Sequence, residues 1–383
     1  MVRRADLDWL RVGAFGLLIL YHIALFFAPW DWHVNSRHND AWVAQALVAS
    51  NPWRLLLLFF VSGAALRYMA RTRTATDIAV DRSVRLLLPL LFGIFFLVPP
   101  QAYVESVQKL GYAGSFTGYW RDMVTIPVST CLAGRCETIP LNHLWFIAFI
   151  WAYALIAAVL MMMPRLLERL DAAVGWLMKG PALLLVPIAY LAVMRLNLYP
   201  LFGVRNVLWG DWYHHSIALP IFLLGFLMSG RVSFWQGFDR WRWPALALAV
   251  FASAPLIAQG AIHNSAEMSG TGFMAVLFAT AQWGAIAALS GFAYRHLADA
   301  DGPLLRYLSA GVFPFYLVHQ TIIVLVAYWL DPYSLSAAAE FTVLILATAV
   351  GCVISYEIAR RIAILRPFLG LRKAPPRAST PAF

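Results

Sequence analysis

Apolar runs long enough to cross about 30 Å of hydrocarbon fall near residues 10–29, 53–70, 84–100, 141–163, 181–196, 214–229, 243–259, 271–293, 309–330 and 336–357. Inside a bilayer no water is at hand for backbone N–H and C=O groups, so segments of this length must satisfy them internally, as α-helices. The pattern therefore predicts an all-α, polytopic integral membrane protein with about ten transmembrane helices. Composition agrees: 61% of the 383 residues are hydrophobic and 13% are charged, a balance outside the range of soluble domains.

The loops supply orientation. Ten spans put both termini on one side, and only Arg37, Arg54, Lys109, Arg121, Arg135, Arg195 and Arg205 of the 29 basic residues fall on the other. The positive-inside rule then makes both termini cytoplasmic. The same distribution accounts for the net charge of +10: arginines grouped between spans anchor a topology, so the expected surroundings are membrane lipids and no nucleic acid. Arg3 and Arg4 precede an apolar run without a small-x-small cleavage site, which reads as an uncleaved first span. Residues 1–370 read as one membrane domain, and 371–383, ending "RKAPPRASTPAF", as a disordered cytoplasmic tail. The long external segment 101–140 is either an interfacial helix or lid, or a plain connector. It holds Cys131 and Cys136, which are either a small disulfide staple or two thiols.

Polar groups inside the spans narrow the function. In "LDWLRVGAFGLLILYHI" eleven residues separate Arg11 from His22, a rise of about 16 Å that returns the second side chain nearly over the first. Asp8 lies within reach of Arg11. An imidazole deep in a span needs a polar partner or a watery cavity, so His22 is either a structural histidine or a general base for removing a proton from a hydroxyl. His319 and Asn142 are candidates to orient such a base or to steady an oxyanion. Most histidines lie toward the outer side, but no HExxH or Cys/His set has zinc spacing, so no metal is expected. On the inner side Arg82 and Arg85 flank the start of the third span, as phosphate contacts or as topology anchors. Ser62 and Gly63 in the second span either let helices approach closely or leave room for a narrow ligand. Glu357 is expected to pair with Arg360, Arg361 or Arg11.

These residues sit in a series of motifs: "LDWLR" and its following histidine, "FFVSG", "RLLLPLLFG", "HLWF" and "FPFYLVHQ". In order and layout the chain resembles membrane-bound acyltransferase family three. "WDWHVNS", just beyond the first span, resembles the branch associated with succinylation of osmoregulated periplasmic glucans. The resemblance implies acyl transfer from cytoplasmic acyl-CoA, succinyl-CoA first and acetyl-CoA as the alternative, to hydroxyls of a periplasmic glucan or another surface or lipid-linked glycan. It maps His22 to the catalytic histidine, Arg11 to its paired arginine, and Arg85, or Arg82, to the arginine opening the third span. For a succinyl donor, Arg37 or Arg54 are candidates for the distal carboxylate. A proton-coupled transporter is the competing class, because in-span Arg11, His22 and His319 also suit a proton or anion pathway.

Overall fold

The structure, a computed structural model, describes residues 4–125, 141–260 and 272–372. Its helices are α1 (Ala5–Phe26), α2 (Ala41–Ser50), α3 (Arg54–Ala70), α4 (Ala75–Phe92), α5 (Val98–Leu110), α6 (Phe116–Thr125), α7 (Trp145–Met161), α8 (Pro164–Leu177), α9 (Ala182–Phe202), α10 (Trp212–Met228), α11 (Val232–Gly260), α12 (Gly272–His296), α13 (Pro303–Leu330) and α14 (Ala337–Arg361). Among the described residues there is no strand. Nine helical segments there are long and apolar enough to cross a membrane. The expected span at 214–229 falls on α10, an apolar helix of only 17 residues. Cys131, Cys136, Arg135, His263 and the tail from Lys373 onward lie outside the described residues.

Local chemistry sets where the helices begin. Thr74 and Asp77 form a reciprocal capping box at the start of α4. Asp40, Asp211 and Ser336 accept from the first-turn N–H groups of α2, α10 and α14. The third span is longer than its apolar core: α4 and α5 are joined by a π-helical turn, Gly93–Leu97, into one segment from Ala75 to Leu110.

Prolines inside spans remove a donor and leave a carbonyl without its usual partner. Here side chains from neighbouring helices replace it. Pro187 in α9 cannot serve the carbonyl of Leu183, and the indole N–H of fully buried Trp283 on α12 donates to it at 2.8 Å. Pro220 in α10 leaves the Ser216 carbonyl to the Tyr190 hydroxyl at 2.7 Å. At the π turn, Trp120 Nε1 donates to the Phe95 carbonyl at 2.7 Å, while Gln101 Nε2 and Thr321 Oγ1 donate to that of Leu97 at 3.0 and 2.8 Å. In hydrocarbon each unmet carbonyl costs several kcal/mol, so these contacts permit bent helices at membrane depth.

Close helix contact depends on two glycines. A Cβ at Gly63 would overlap the Phe222 backbone on α10, and one at Gly225 would overlap the Phe60 backbone on α3. The crossing of α3 and α10 is thus set by small residues, as in membrane bundles generally. α1 packs against α3, α12 and α13, which encloses its polar stripe, while α11 and α14 turn Phe251, Leu346, Val350 and Ile354 outward.

Candidate functional site

Arg11, Phe15, Leu18 and His22 follow one another on α1 at helical spacing, a single stripe along the helix. The stripe runs past two cavities. Arg11 and Phe15 line the first, of about 570 Å³. Leu18 and His22 line the second, of about 410 Å³. Phe146 and Tyr316 line both, so these two rings, 6.0 Å apart between centroids, are the partition.

The first cavity is cationic. Arg11, Arg82, Arg85, Arg360, Arg366 and Arg372 line it, together with Ser62. Arg11 Nη2 donates at 3.2 Å to both Asp8 and the Ser309 carbonyl. Arg85 Nη2 donates to the Gly370 carbonyl at 3.3 Å, and Arg366 ties the chain end together through the carbonyls of Arg360 at 3.0 Å and Arg372 at 2.7 Å. Asp81 stands 4.0 Å from both Arg82 and Arg85, and is closer, at 3.0 Å, to Arg73. Arg85 and Arg366 donate to carbonyls, which do not neutralise them. Six guanidinium groups lining one cavity outnumber the carboxylates of Asp8, Asp81 and Glu357 that pair with some of them, a net attraction for anions. Glu357 pairs with Arg360 and Arg361, each at 2.9 Å, and accepts from the Tyr307 hydroxyl. Gly63 is placed otherwise than beside a ligand: it lines neither cavity and belongs to the α3–α10 contact.

The second cavity holds the imidazoles. His319, fully buried on α13, has Nδ1 2.6 Å from the Tyr316 carbonyl and Nε2 3.0 Å from His22 Nδ1. A carbonyl oxygen only accepts, so His319 carries its proton on Nδ1 and, when neutral, offers Nε2 as an acceptor. His22 must then donate from Nδ1, which leaves the lone pair on its Nε2. His143 is fixed in the same way: Nε2 donates to the Leu317 carbonyl at 3.1 Å, and the Tyr316 hydroxyl donates to the carbonyl of His143. The structure thus brings His22 and His319 into contact. Asn142, in the left-handed region at φ 43°, donates to Gln101 Oε1 at 2.9 Å instead.

Next to His319 on α13, Gln320 joins a chain of polar side chains. Gln320 Nε2 donates to Gln101 Oε1 at 3.1 Å and lies 2.9 Å from His33 Nε2. His33 Nδ1 meets Glu105 at 2.5 Å, and Glu105 lies 3.8 Å from Lys109. The rim of the second cavity near Asn206 and His214 is set by Asp211, which accepts from the N–H groups of Arg205 and Asn206 at 3.0 and 2.8 Å. Burial pushes the Asp211 carboxyl up, but the His214 ring and these N–H groups outweigh it and hold the carboxyl below its ordinary range.

Nothing in the sequence marks Arg366, Arg372, Phe146 or Tyr316 as site residues, and it marks Arg360 only as a partner for Glu357. The arginines were absorbed by the positive-inside pattern, and Arg372 was assigned to the tail. The available signal for Tyr316 was its position three residues before His319, on the same side of α13. Among the described residues no group of three or more His, Cys, Asp or Glu side chains is placed to hold a metal ion.

Comparison with known proteins adds a family. The model of a family described as an acyltransferase domain matches residues 4–357. A curated relative, glucans biosynthesis protein C of Salmonella gallinarum (strain 287/91 / NCTC 13346), is 23% identical over 390 residues, covering 97% of this chain and 96% of that protein. No solved structure gives a significant match.

Proposed function

The chain belongs to this acyltransferase-domain family, and from that premise we propose that it transfers a succinyl group from cytoplasmic succinyl-CoA to hydroxyls of a periplasmic glucan. It is a multi-pass protein of the bacterial inner membrane, and on our reading both termini are cytoplasmic and residues 1–370 form the catalytic domain. The observation that carries the proposal is the pair of cavities meeting at Phe146 and Tyr316, the first rich in arginine and the second holding the His22–His319 pair.

In this mechanism the phosphates of the donor stay with Arg11, Arg82 and Arg85, with Ser62 alongside. The slender thioester arm reaches past the aromatic partition, which spares a highly charged molecule the cost of entering hydrocarbon. The acceptor hydroxyl enters the second cavity and gives its proton to His22 Nε2 as its oxygen attacks the thioester carbonyl. Collapse of the tetrahedral intermediate breaks the carbon–sulfur bond. The thiolate leaves with the electron pair and takes the proton back from His22. During the step His22 Nδ1–H stays hydrogen-bonded to His319 Nε2, and the Tyr316 carbonyl fixes the His319 ring, so the base is oriented and its transient charge is shared. His319 is in this scheme a positioning residue.

The relative's name, glucans biosynthesis protein C, supports a glucan acceptor, and "WDWHVNS" supports the same branch. The test is incubation of the purified protein with succinyl-CoA or acetyl-CoA and a neutral glucan, without a membrane gradient, following free thiol and the mass of the glucan. Release of thiol with gain of a succinyl mass is expected. Gain of an acetyl mass alone moves the assignment to the O-acetyl branch, and transport activity with no thioester cleavage replaces it with a transporter.

A further inference from the structure

The second cavity, which faces outward on the proposed topology, is lined by two buried cations that have no ion-pair partner among the described residues. Arg54 and Arg195 line it and are only 4% and 3% exposed. The Arg54 guanidinium carbon lies 3.1 Å from the centroid of the Tyr21 ring, and its Nε and Nη1 have no hydrogen-bond partner among the described residues. Arg195 lies 3.5 Å from the Phe278 centroid and donates from Nη1 to the Tyr213 hydroxyl at 3.2 Å, while its Nε is likewise unpartnered. Among the described residues no aspartate or glutamate lines this cavity. The contrast is Arg4, a part-buried arginine on the other side, which is met by both carboxylate oxygens of Asp6.

An unpaired buried charge costs several kcal/mol, and removing one from water without an anion is the expensive case. Stacking on Tyr21 and Phe278 offsets part of this but leaves Nε and Nη1 of Arg54 and Nε of Arg195 unused among the described residues. Those groups form a fork whose natural partner is a two-oxygen anion. Arg54 and His22 line the same cavity, so an anion held by Arg54 shares that space with the proposed base. Arg37, the other external arginine considered for this role, is exposed and engaged with Asp331 at 3.2 Å, away from the cavity lining.

We infer that the outer cavity is a receptor for a carboxylate carried by one of the two reactants, with Arg54 as its principal ligand and Arg195 as its second. The inference rests on the reading of His22 as the place where donor and acceptor meet. The carboxylate has two sources: the far end of a dicarboxylic acyl group, or an acidic substituent of the acceptor glycan.

Binding is tested apart from catalysis. Titration of the full-length solubilised protein with succinate, against neutral succinamide, should show succinate binding tighter by about tenfold or more. Arg54→Gln should remove that margin and Arg54→Lys should restore part of it. Equal binding of the two compounds to the wild type overturns the receptor, as does an unchanged margin in monodisperse Arg54→Gln; if that variant does not fold, Arg195→Gln is read the same way. Kinetics then separate the sources. A fall of about tenfold in the succinyl-CoA to butyryl-CoA ratio of kcat/KM in Arg54→Gln assigns the carboxylate to the donor. An equal fall in preference for a uronic-acid glucan over a neutral one assigns it to the acceptor, and movement of neither ratio overturns the inference. Succinate selectivity in a protein that consumes no acyl-CoA keeps the receptor and removes the acyltransferase reading.

Discussion

At the scale of single residues the proposed chemistry depends on proton positions that backbone carbonyls dictate. The Tyr316 carbonyl fixes the proton of His319, and His319 in turn fixes that of His22. His22→Ala removes the base, and kcat for transfer should fall by about 10²–10⁴-fold with insertion intact. Thiol release by the purified variant is the measurement, and a fall of only twofold would remove His22 from the catalytic role. His319→Ala should lower kcat while leaving KM for the donor near its starting value, since it holds the base and touches neither reactant. His319→Gln, whose side-chain oxygen can accept from His22 Nδ1, should recover part of the loss. These two histidines and Arg11 stand out in the sequence because ionisable groups are rare inside apolar runs. Phe146 and Tyr316 do not, because an aromatic ring within such a run has no distinguishing signal. Gly63 had two meanings, and only the position of Phe222 on α10 identifies the helix contact.

At the scale of elements, the proline-containing helices stand on side-chain donors that replace those proline removes. Trp283→Phe keeps the ring but strips the donor from the Leu183 carbonyl, and should destabilise the protein by about 1–3 kcal/mol, read from thermal or denaturant unfolding in micelles. A stability equal to wild type would mean that the carbonyl finds another partner. The start of α10 adds a pH dependence. Because the Asp211 carboxyl is held below its ordinary 3.8, its contribution is fully present above that value and is lost as pH falls from there through the lower folded value. Asp211→Asn should therefore flatten this acid limb of the stability profile, and an unchanged limb would assign it to other carboxylates. The apolar runs were legible as spans because hydrocarbon thickness imposes their length. The π turn of the third span and the aromatic donors at the prolines were not, because each depends on which helix becomes a neighbour.

At the scale of the whole molecule, the proposed reaction divides its labour between two cavities, charge in the first and chemistry in the second. The first cavity gathers arginines from α1, α4, α14 and the segment after α14, which the sequence presents as separate basic clusters, each already explained by topology. Arg372→Ala should raise KM for acyl-CoA several-fold with kcat little changed, and added salt should narrow the difference from wild type, as expected for a phosphate contact. Equal KM values at low salt would place Arg372 outside the donor site. The partition carries the last consequence. In the proposed reaction a thioester exposed to the second cavity is open to attack by water, so the edge-to-face contact of Phe146 with Tyr316 should govern how selectively the glycan hydroxyl is used. Phe146→Ala removes one ring of that contact without altering His22 or the arginines, and should raise the ratio of hydrolysis to transfer, measured as thiol released without acceptor against acyl gained by glucan. Phe146→Trp should narrow the passage and lower the transfer rate instead. If both substitutions left that ratio and that rate unchanged, the rings would not lie between the reactants, and the two cavities would have to serve separate ligands.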